Sequence, residues 1–191
     1  MAEAHRRSAL AGIAQARVEQ TAVSLTELRA AELLRICAGA DGGELTAALR
    51  KILALDAPPP GIAAEREGRA LLWLAPRQWL LVSEGERSAL GERELASALA
   101  PTTGTVVDVS HAYLALRISG ARARDVLAKG VPVDLDTDAF PSGACLQTCL
   151  ADMNVLLHAR AVSAIDLYVG RSYAASLWEW LESSAAEFGF A

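Results

Sequence analysis

Apolar residues recur along the chain with two periods, and the switches between them mark its elements. Glu32-Leu-Leu-Arg-Ile-Cys37 reads as a strand. Asp41 with Glu44 three residues later forms a capping-box pattern, and Leu45, Leu49, Ile52 and Leu53 then follow at helical spacing, which predicts a helix over 42–55. Pro58-Pro-Pro-Gly61 stops it. Arg69–Leu74 and Trp79–Ser83 form a strand pair around Ala75-Pro-Arg-Gln78, and a weaker helix over 87–99 ends before Pro101. Strands follow at 105–110 and 113–118, then a short helix over 120–129 between Ser119-Gly120 and Gly130. After a loop over 135–143, strands are predicted near 144–150, 153–158 and 165–169, and a last helix over 171–187. At about 100° per residue, Tyr173, Ala174, Leu177, Trp178, Leu181, Ala185 and Phe188 of that helix share roughly 140° of arc. Glu179, Glu182 and Glu187 fall outside it, so the helix is amphipathic with a broad buried face.

The order of elements carries more than their existence. Strand 32–37, helix 42–55, strands 69–74 and 79–83 and helix 87–99 make a βαββα unit. Strand 113–118, helix 120–129, strands 144–158 and 165–169 and helix 171–187 make a longer version of the same unit. Leu34-Arg35-Ile36 matches Leu116-Arg117-Ile118 in type and spacing, and Trp79-Leu-Leu-Val82 is set against Asp166-Leu-Tyr-Val169 in the later strands. Two half-sheets covered by helices predict an α+β fold in which two related halves, 21–104 and 105–191, form one globular unit behind an N-terminal arm, 1–20.

Composition narrows the function classes. The 191 residues are 52% hydrophobic, enough for a sizeable core, and no apolar run approaches the roughly 18 residues that span a bilayer. The short apolar stretch after Arg6 and Arg7 is interrupted by Arg17 and Glu19, so it does not read as a signal-peptide core; the expectation is a cytoplasmic protein. A net charge of −5 without a basic stripe argues against nucleic-acid binding. Cys37, Cys145 and Cys149 are an odd count without a metal-ligand partner set, and they read as buried apolar thiols.

The catalytic inventory is thin. His5 falls in the arm, and His158 reads as a strand-edge residue. Asp108, Ser110 and His111 are close in sequence, but neighbours on a strand alternate faces and do not converge as a triad; a turn is expected there. Neither a dinucleotide fingerprint nor a P-loop occurs. Asp134, Asp136 and Asp138 resemble the start of a calcium loop, but its glycine and twelfth-position glutamate are missing, which leaves a solvated loop. No residue is assigned to catalysis, cofactor binding or metal binding. The candidates for a partner interface are Arg6 and Arg7 in the arm, Tyr173, and Trp180 at the rim of the last helix's apolar face.

The second half resembles a known family. Asp108-Val-Ser-His111, Leu116-Arg-Ile-Ser-Gly120, Ala123-Arg-Asp-Val-Leu-Ala-Lys-Gly130, Phe140-Pro-Ser-Gly143, Val155-Leu-Leu-His158, Asp166-Leu-Tyr-Val169 and Leu177-Trp-Glu-Trp-Leu181 are similar, in order, to the gamma subunit of heterotetrameric sarcosine oxidase. The likeness continues more thinly through Pro76-Arg-Gln-Trp-Leu80. It implies a fold similar to the folate-binding domain of glycine-cleavage aminomethyltransferase. It also implies a non-catalytic structural role, supporting the alpha subunit while the complex demethylates sarcosine to glycine with formation of hydrogen peroxide and methylene-tetrahydrofolate. FAD, FMN, NAD, zinc and tetrahydrofolate are implied on the alpha, beta and delta partners and none on this chain. The alternatives are a stand-alone folate-binding module in the aminomethyltransferase style and a gamma subunit of a related N-methyl amine oxidase.

Overall fold

Each long apolar strand of this chain feeds two cores, because successive side chains leave a strand on opposite faces. In the computed structural model, which describes residues 8–11, 17–19, 22–28, 30–39, 42–84, 92–100 and 104–189, these strands build two antiparallel sheets. The first contains β3 (Ala30–Cys37), β4 (Ala63–Arg66), β5 (Arg69–Ala75), β6 (Gln78–Glu84) and β7 (Thr105–Asp108), in the spatial order β4-β5-β6-β3-β7. The second contains β1 (Arg17–Glu19), β2 (Ser24–Glu27), β8 (Tyr113–Ser119), β9 (Cys145–Leu150), β10 (Met153–Ala161) and β11 (Ala164–Gly170), in the order β1-β2-β8-β11-β10-β9. Helices α1 (Gly42–Leu53) and α2 (Glu92–Leu99) cover the outer face of the first sheet, where Leu45, Leu49, Leu95 and Leu99 pack on Leu34, Ile36, Leu71 and Leu81. Helices α3 (Ala123–Ala128) and α4 (Ala174–Ala185) cover the second, where Val126, Leu177, Trp178 and Leu181 pack with Leu116, Ile118, Ile165 and Leu167. A third core, including Leu33, Leu72, Leu80, Val82, Leu156 and Tyr168, lies between the two inner faces. The layers therefore run helix, sheet, sheet, helix.

The two sheets share one connectivity, and each takes its last strand from the other half. Strand β2 precedes β3 in sequence but pairs with β8, whereas β7 precedes β8 but pairs with β3. The exchange repeats in detail: Leu28, just after β2, donates its N–H to Ala115 O at 2.8 Å, and Val109, just after β7, donates to Leu33 O at 2.9 Å. Ladder register then aligns the halves. Leu34 lies opposite Leu81 and Arg35 opposite Leu80, as Leu116 lies opposite Leu167 and Arg117 opposite Asp166. The two later strands are equivalent as expected, with Leu80 corresponding to Asp166 and Leu81 to Leu167.

Several boundaries move for local reasons. Helix α1 ends at Leu53 because Ala54 takes a left-handed φ of 52°, before the prolines are reached. Asp41, the expected cap, lies outside the described residues, as do 87–91 of the predicted 87–99 helix. The short strand β4 and the pair β1–β2 carry too few apolar residues to stand out by periodicity. Within the predicted arm, Leu10 is buried in the core beneath α3 and α4, and the Ser8 hydroxyl donates to Glu27 at 2.6 Å.

The exchange of β2 leans on one glycine. Gly120 follows β8 at φ +115°, and a Cβ built there would sit 2.3 Å from the Ala22 carbonyl oxygen. That same oxygen accepts the Arg122 N–H at 3.1 Å. Glycine at 120 therefore serves both a backbone conformation that side chains rarely adopt and a close approach of two chain segments. Gly120→Ala is expected to lower stability by roughly 2–3 kcal/mol, read as a fall in the urea midpoint, whereas Gly189→Ala, at positive φ but with open space around it, costs clearly less.

Candidate functional site between the two sheets

Polar residues interrupt five of the strands, and the fold gathers them on the inner faces. The Arg117 guanidinium grips Asp166 with two parallel bonds, Nε to Oδ1 at 2.6 Å and Nη2 to Oδ2 at 2.8 Å. Arg160 binds Glu65 across the gap between the sheets, Nη1 to Oε2 at 2.9 Å. Both arginines also approach Glu84 Oε1, at 3.5 Å each. The second sheet thus contributes Arg117, Arg160 and Asp166, and the first contributes Glu65 and Glu84. Asp166 is wholly buried, so its charge depends on these partners.

His158 completes the cluster. It is fully buried inside β10, between β9 and β11, and not at a strand edge as expected. The sheet continues to Ala161, and the alternation of His158 with Arg160 puts both on the inner face. Its Nε2 lies 2.8 Å from Glu65 Oε1 without the alignment of a good hydrogen bond, and its Nδ1 has no partner among the described residues. Burial chiefly, with Arg160 and Arg117 adding to it against Asp166, pushes the imidazole down to about 4. Arg117 is driven upward by its bond to Asp166, and burial drives the Tyr168 hydroxyl upward. These groups hold one another: the arginines are bound to carboxylates, the histidine is neutral at pH 7, and the tyrosine keeps its proton. The arrangement is suited to joining two sheets.

Beyond the cluster the sheets diverge into a cleft of about 500 Å³. Leu74 and Leu80 close one side, and Tyr113, Leu156 and Tyr168 the other, with Gln147, Cys149 and Asn154 at its mouth. Gln147 Nε2 donates to Leu74 O at 2.6 Å, linking β9 to the end of β5. Cys145 and Cys149 share this inner face but differ in environment. Cys145 is buried, its thiol donates to Ile62 O at 3.1 Å, and burial pushes it up to about 11. Cys149 is exposed, contrary to the expectation that all the thiols are buried, because β9 is an edge strand that overhangs the first sheet.

The residues singled out in the sequence lie apart from this cluster. Tyr173 is 48% exposed beside Gly170, in a 3-10 turn leading into α4. Trp180 is half-buried, its indole lying over Gly130 so closely that a Cβ there would meet it at 2.5 Å. Arg6 and Arg7 are outside the described residues. Ser110 makes the expected turn: its N–H binds Asp108 Oδ1 at 2.8 Å and its hydroxyl accepts the Leu33 N–H at 2.8 Å, while His111 is exposed. Asp134 and Asp136 each accept an N–H two residues on, as in a solvated loop. Among the described residues no group of three or more His, Cys, Asp or Glu is placed to hold a metal ion, and no helix is long and apolar enough to cross a membrane.

A sequence model of the "Sarcosine oxidase, gamma subunit family" matches residues 13–187. The sarcosine oxidase subunit gamma of Corynebacterium sp. (strain P-1) is 34% identical over 128 residues, 66% of this chain and 62% of that relative, so the match spans less than two-thirds of the relative's length. A chain of the heterotetrameric sarcosine oxidase from Corynebacterium sp. U-96, solved in complex with pyrrole 2-carboxylate, superposes with a TM-score of 0.85 at 30% identity over 97% of each chain. Glycine cleavage system aminomethyltransferase T from Bartonella henselae superposes with a TM-score of 0.62 at 14% identity, over 82% of this chain and 44% of that one, a likeness of fold alone.

Two measurements probe the cluster. Asp166→Ala leaves the Arg117 guanidinium half-buried without its main partner and is expected to cost roughly 3 kcal/mol, with Asp166→Asn recovering part of it; denaturant midpoints read both. The imidazole binds its proton near 6.5 when unfolded and near 4 when folded, so stability contributed above pH 6.5 is lost as the pH falls toward 4. Between pH 6.5 and 5 the loss from this group is roughly 2 kcal/mol, and in a His158→Gln chain that part of the pH slope disappears.

Proposed function

The chain belongs to the sarcosine oxidase gamma subunit family, and on that premise we propose that it acts as a non-catalytic structural subunit of a heterotetrameric sarcosine oxidase. The observation that carries this reading is the near full-length likeness to a chain of such a heterotetramer. The inter-sheet cluster supports it, since its charged side chains bind one another across the two sheets. In this reading the chain packs directly on the alpha subunit, with beta and delta in the same cytoplasmic complex. The reaction is the oxidative demethylation of sarcosine to glycine, with hydrogen peroxide and methylene-tetrahydrofolate as further products. FAD, FMN, NAD, zinc and tetrahydrofolate belong to the partner subunits. The halves 21–104 and 105–191 act as one globular unit through their exchanged strands, and the arm residues Arg6 and Arg7, the exposed Tyr173 and the rim residue Trp180 contribute to the alpha contact.

The same fold favours a second reading, a folate-binding module. Folate carries carboxylates on its glutamate tail, which call for a cation. Among the described residues lining the inter-sheet cleft there is no Arg or Lys to meet such a tail, which weighs against this reading. A gamma subunit of a related N-methyl amine oxidase differs from the leading reading only in the substrate of the flavin-bearing partner.

Co-expression with the other three subunits of its host separates these readings. The expected outcome is a flavin-coloured tetramer containing this chain, with the alpha subunit poorly soluble when the chain is omitted. A stable, monodisperse isolated chain without affinity for the alpha subunit overturns the structural role, and micromolar tetrahydrofolate binding by that isolated chain in calorimetry establishes the folate module instead.

A further inference from the structure

Strand β9 is bridged to the first sheet at its start and presents an open edge beyond it, beside the cleft. Its register with β10 is regular from Leu150 opposite Met153 to Cys145 opposite His158, without a bulge. The Cys145 N–H points away from β10 and donates to Gly61 O at 2.8 Å. Main-chain groups alternate sides along an antiparallel strand, so Gln147 and Cys149 also turn their N–H and C=O groups outward. The Ile62–Ala144 bridge covers the start of that side, with the Ala63 N–H also donating to Gly143 O at 2.8 Å; beyond it, Gln147 and Cys149 make no main-chain bond on that side among the described residues.

Free edges are normally defended by charge, proline, a bulge or a covering element. The other edge strands carry charge in their sequences: Arg-Val-Glu in β1, Glu65 and Arg66 in β4, Asp108 in β7. Cys145-Leu-Gln-Thr-Cys-Leu150 has neither charge nor proline. The remaining defence is a cover, and for a subunit of a complex the cover is a partner. The outward groups of Gln147 and Cys149 are about 7 Å apart, the two-residue repeat of an extended chain, which matches a peptide strand. Among the described residues the adjoining cleft is lined by Leu74, Leu80, Tyr113, Leu156 and amides, with no charged side chain, so an ion entering it would lose its hydration without compensation.

We infer that an extended segment of a partner subunit adds as a further strand on the Gln147–Cys149 edge of β9 and places one uncharged aromatic or large aliphatic side chain in the inter-sheet cleft. Main-chain bonds hold the segment, and the cleft selects its side chain. This rests on the subunit reading proposed above.

Amide hydrogen exchange on the intact tetramer tests the edge directly. The Gln147 and Cys149 amides are expected to exchange at least tenfold more slowly than unprotected amides, alongside Thr148, which faces β10. Cys149→Lys, which adds a charge at an exposed edge position, is expected to reduce recovery of this chain in the complex at least tenfold while its circular dichroism is retained; Cys149→Ser assembles as the parent does. Free exchange at Gln147 and Cys149 within an assembled tetramer overturns the inference and leaves the subunit reading standing, as does normal assembly of the Cys149→Lys chain. Self-association of the isolated chain that Cys149→Lys abolishes overturns it in favour of a second copy. If the parent chain joins no complex, the subunit reading itself fails.

Discussion

The exchange of β2 and β7 between the sheets is the constraint on which the rest of the molecule depends. Neither half completes its own sheet, because the strand that leads into each half is paired with the other. The sheets are thereby held face to face, and their helices are left to cover only the outer sides. Backbone pairing at two distant points also makes a slip costly, since a one-residue shift would turn every inner side chain outward. Gly120 shows how close the exchange is. The segment entering β2 passes so near the end of β8 that no side chain fits between them.

Bringing the sheets together this way buries Asp166 and His158 completely and leaves the arginines and glutamates around them partly exposed. The bidentate pair of Arg117 with Asp166 lies within one sheet, and Arg160 with Glu65 crosses to the other. A buried ion pair is weak evidence for stability, because desolvation offsets much of the attraction. Its geometric demand is stronger: each partner must be within bonding distance for any to be tolerated. The cluster therefore specifies how the sheets are juxtaposed. His158 shares that space as a neutral imidazole, which ties the arrangement to pH.

The symmetry between the halves is one of backbone and not of chemistry. Arg35 and Arg117 are equivalent, yet Arg35 is exposed opposite Leu80 and bonds to Gln78, whereas Arg117 meets Asp166. Where the second half sets Asp166 opposite its arginine, the first sets Leu80, which lines the cleft. The family motifs divide along the same line. Gly120 and Asp166 have identifiable physical duties, while Asp108 and Ser110 secure the turn that carries β7 back to β3.

The long elements were legible in the sequence because periodicity depends on local burial alone. Strands with continuous apolar runs and helices with a clear stripe announced themselves, as did the repeated order of elements and the likeness to the family. Strands β1, β2 and β4 were not legible, since short or polar segments become strands only when a neighbour supplies hydrogen bonds. His158 was misplaced and Cys149 was expected in the core because exposure along a strand depends on what lies across the sheet. The charge cluster left a faint trace, polar residues two apart in an apolar strand at His158 and Arg160. Its partners, Glu65 and Glu84, are distant in sequence, and no local pattern joins them. The sequence by itself determined the α+β class, the repeated unit and the buried faces of its helices, all set by short-range alternation of apolar and polar residues. Only the tertiary structure decided which strands change sheets, which charges meet and which edge stays open, because these follow from pairings between segments far apart in the chain.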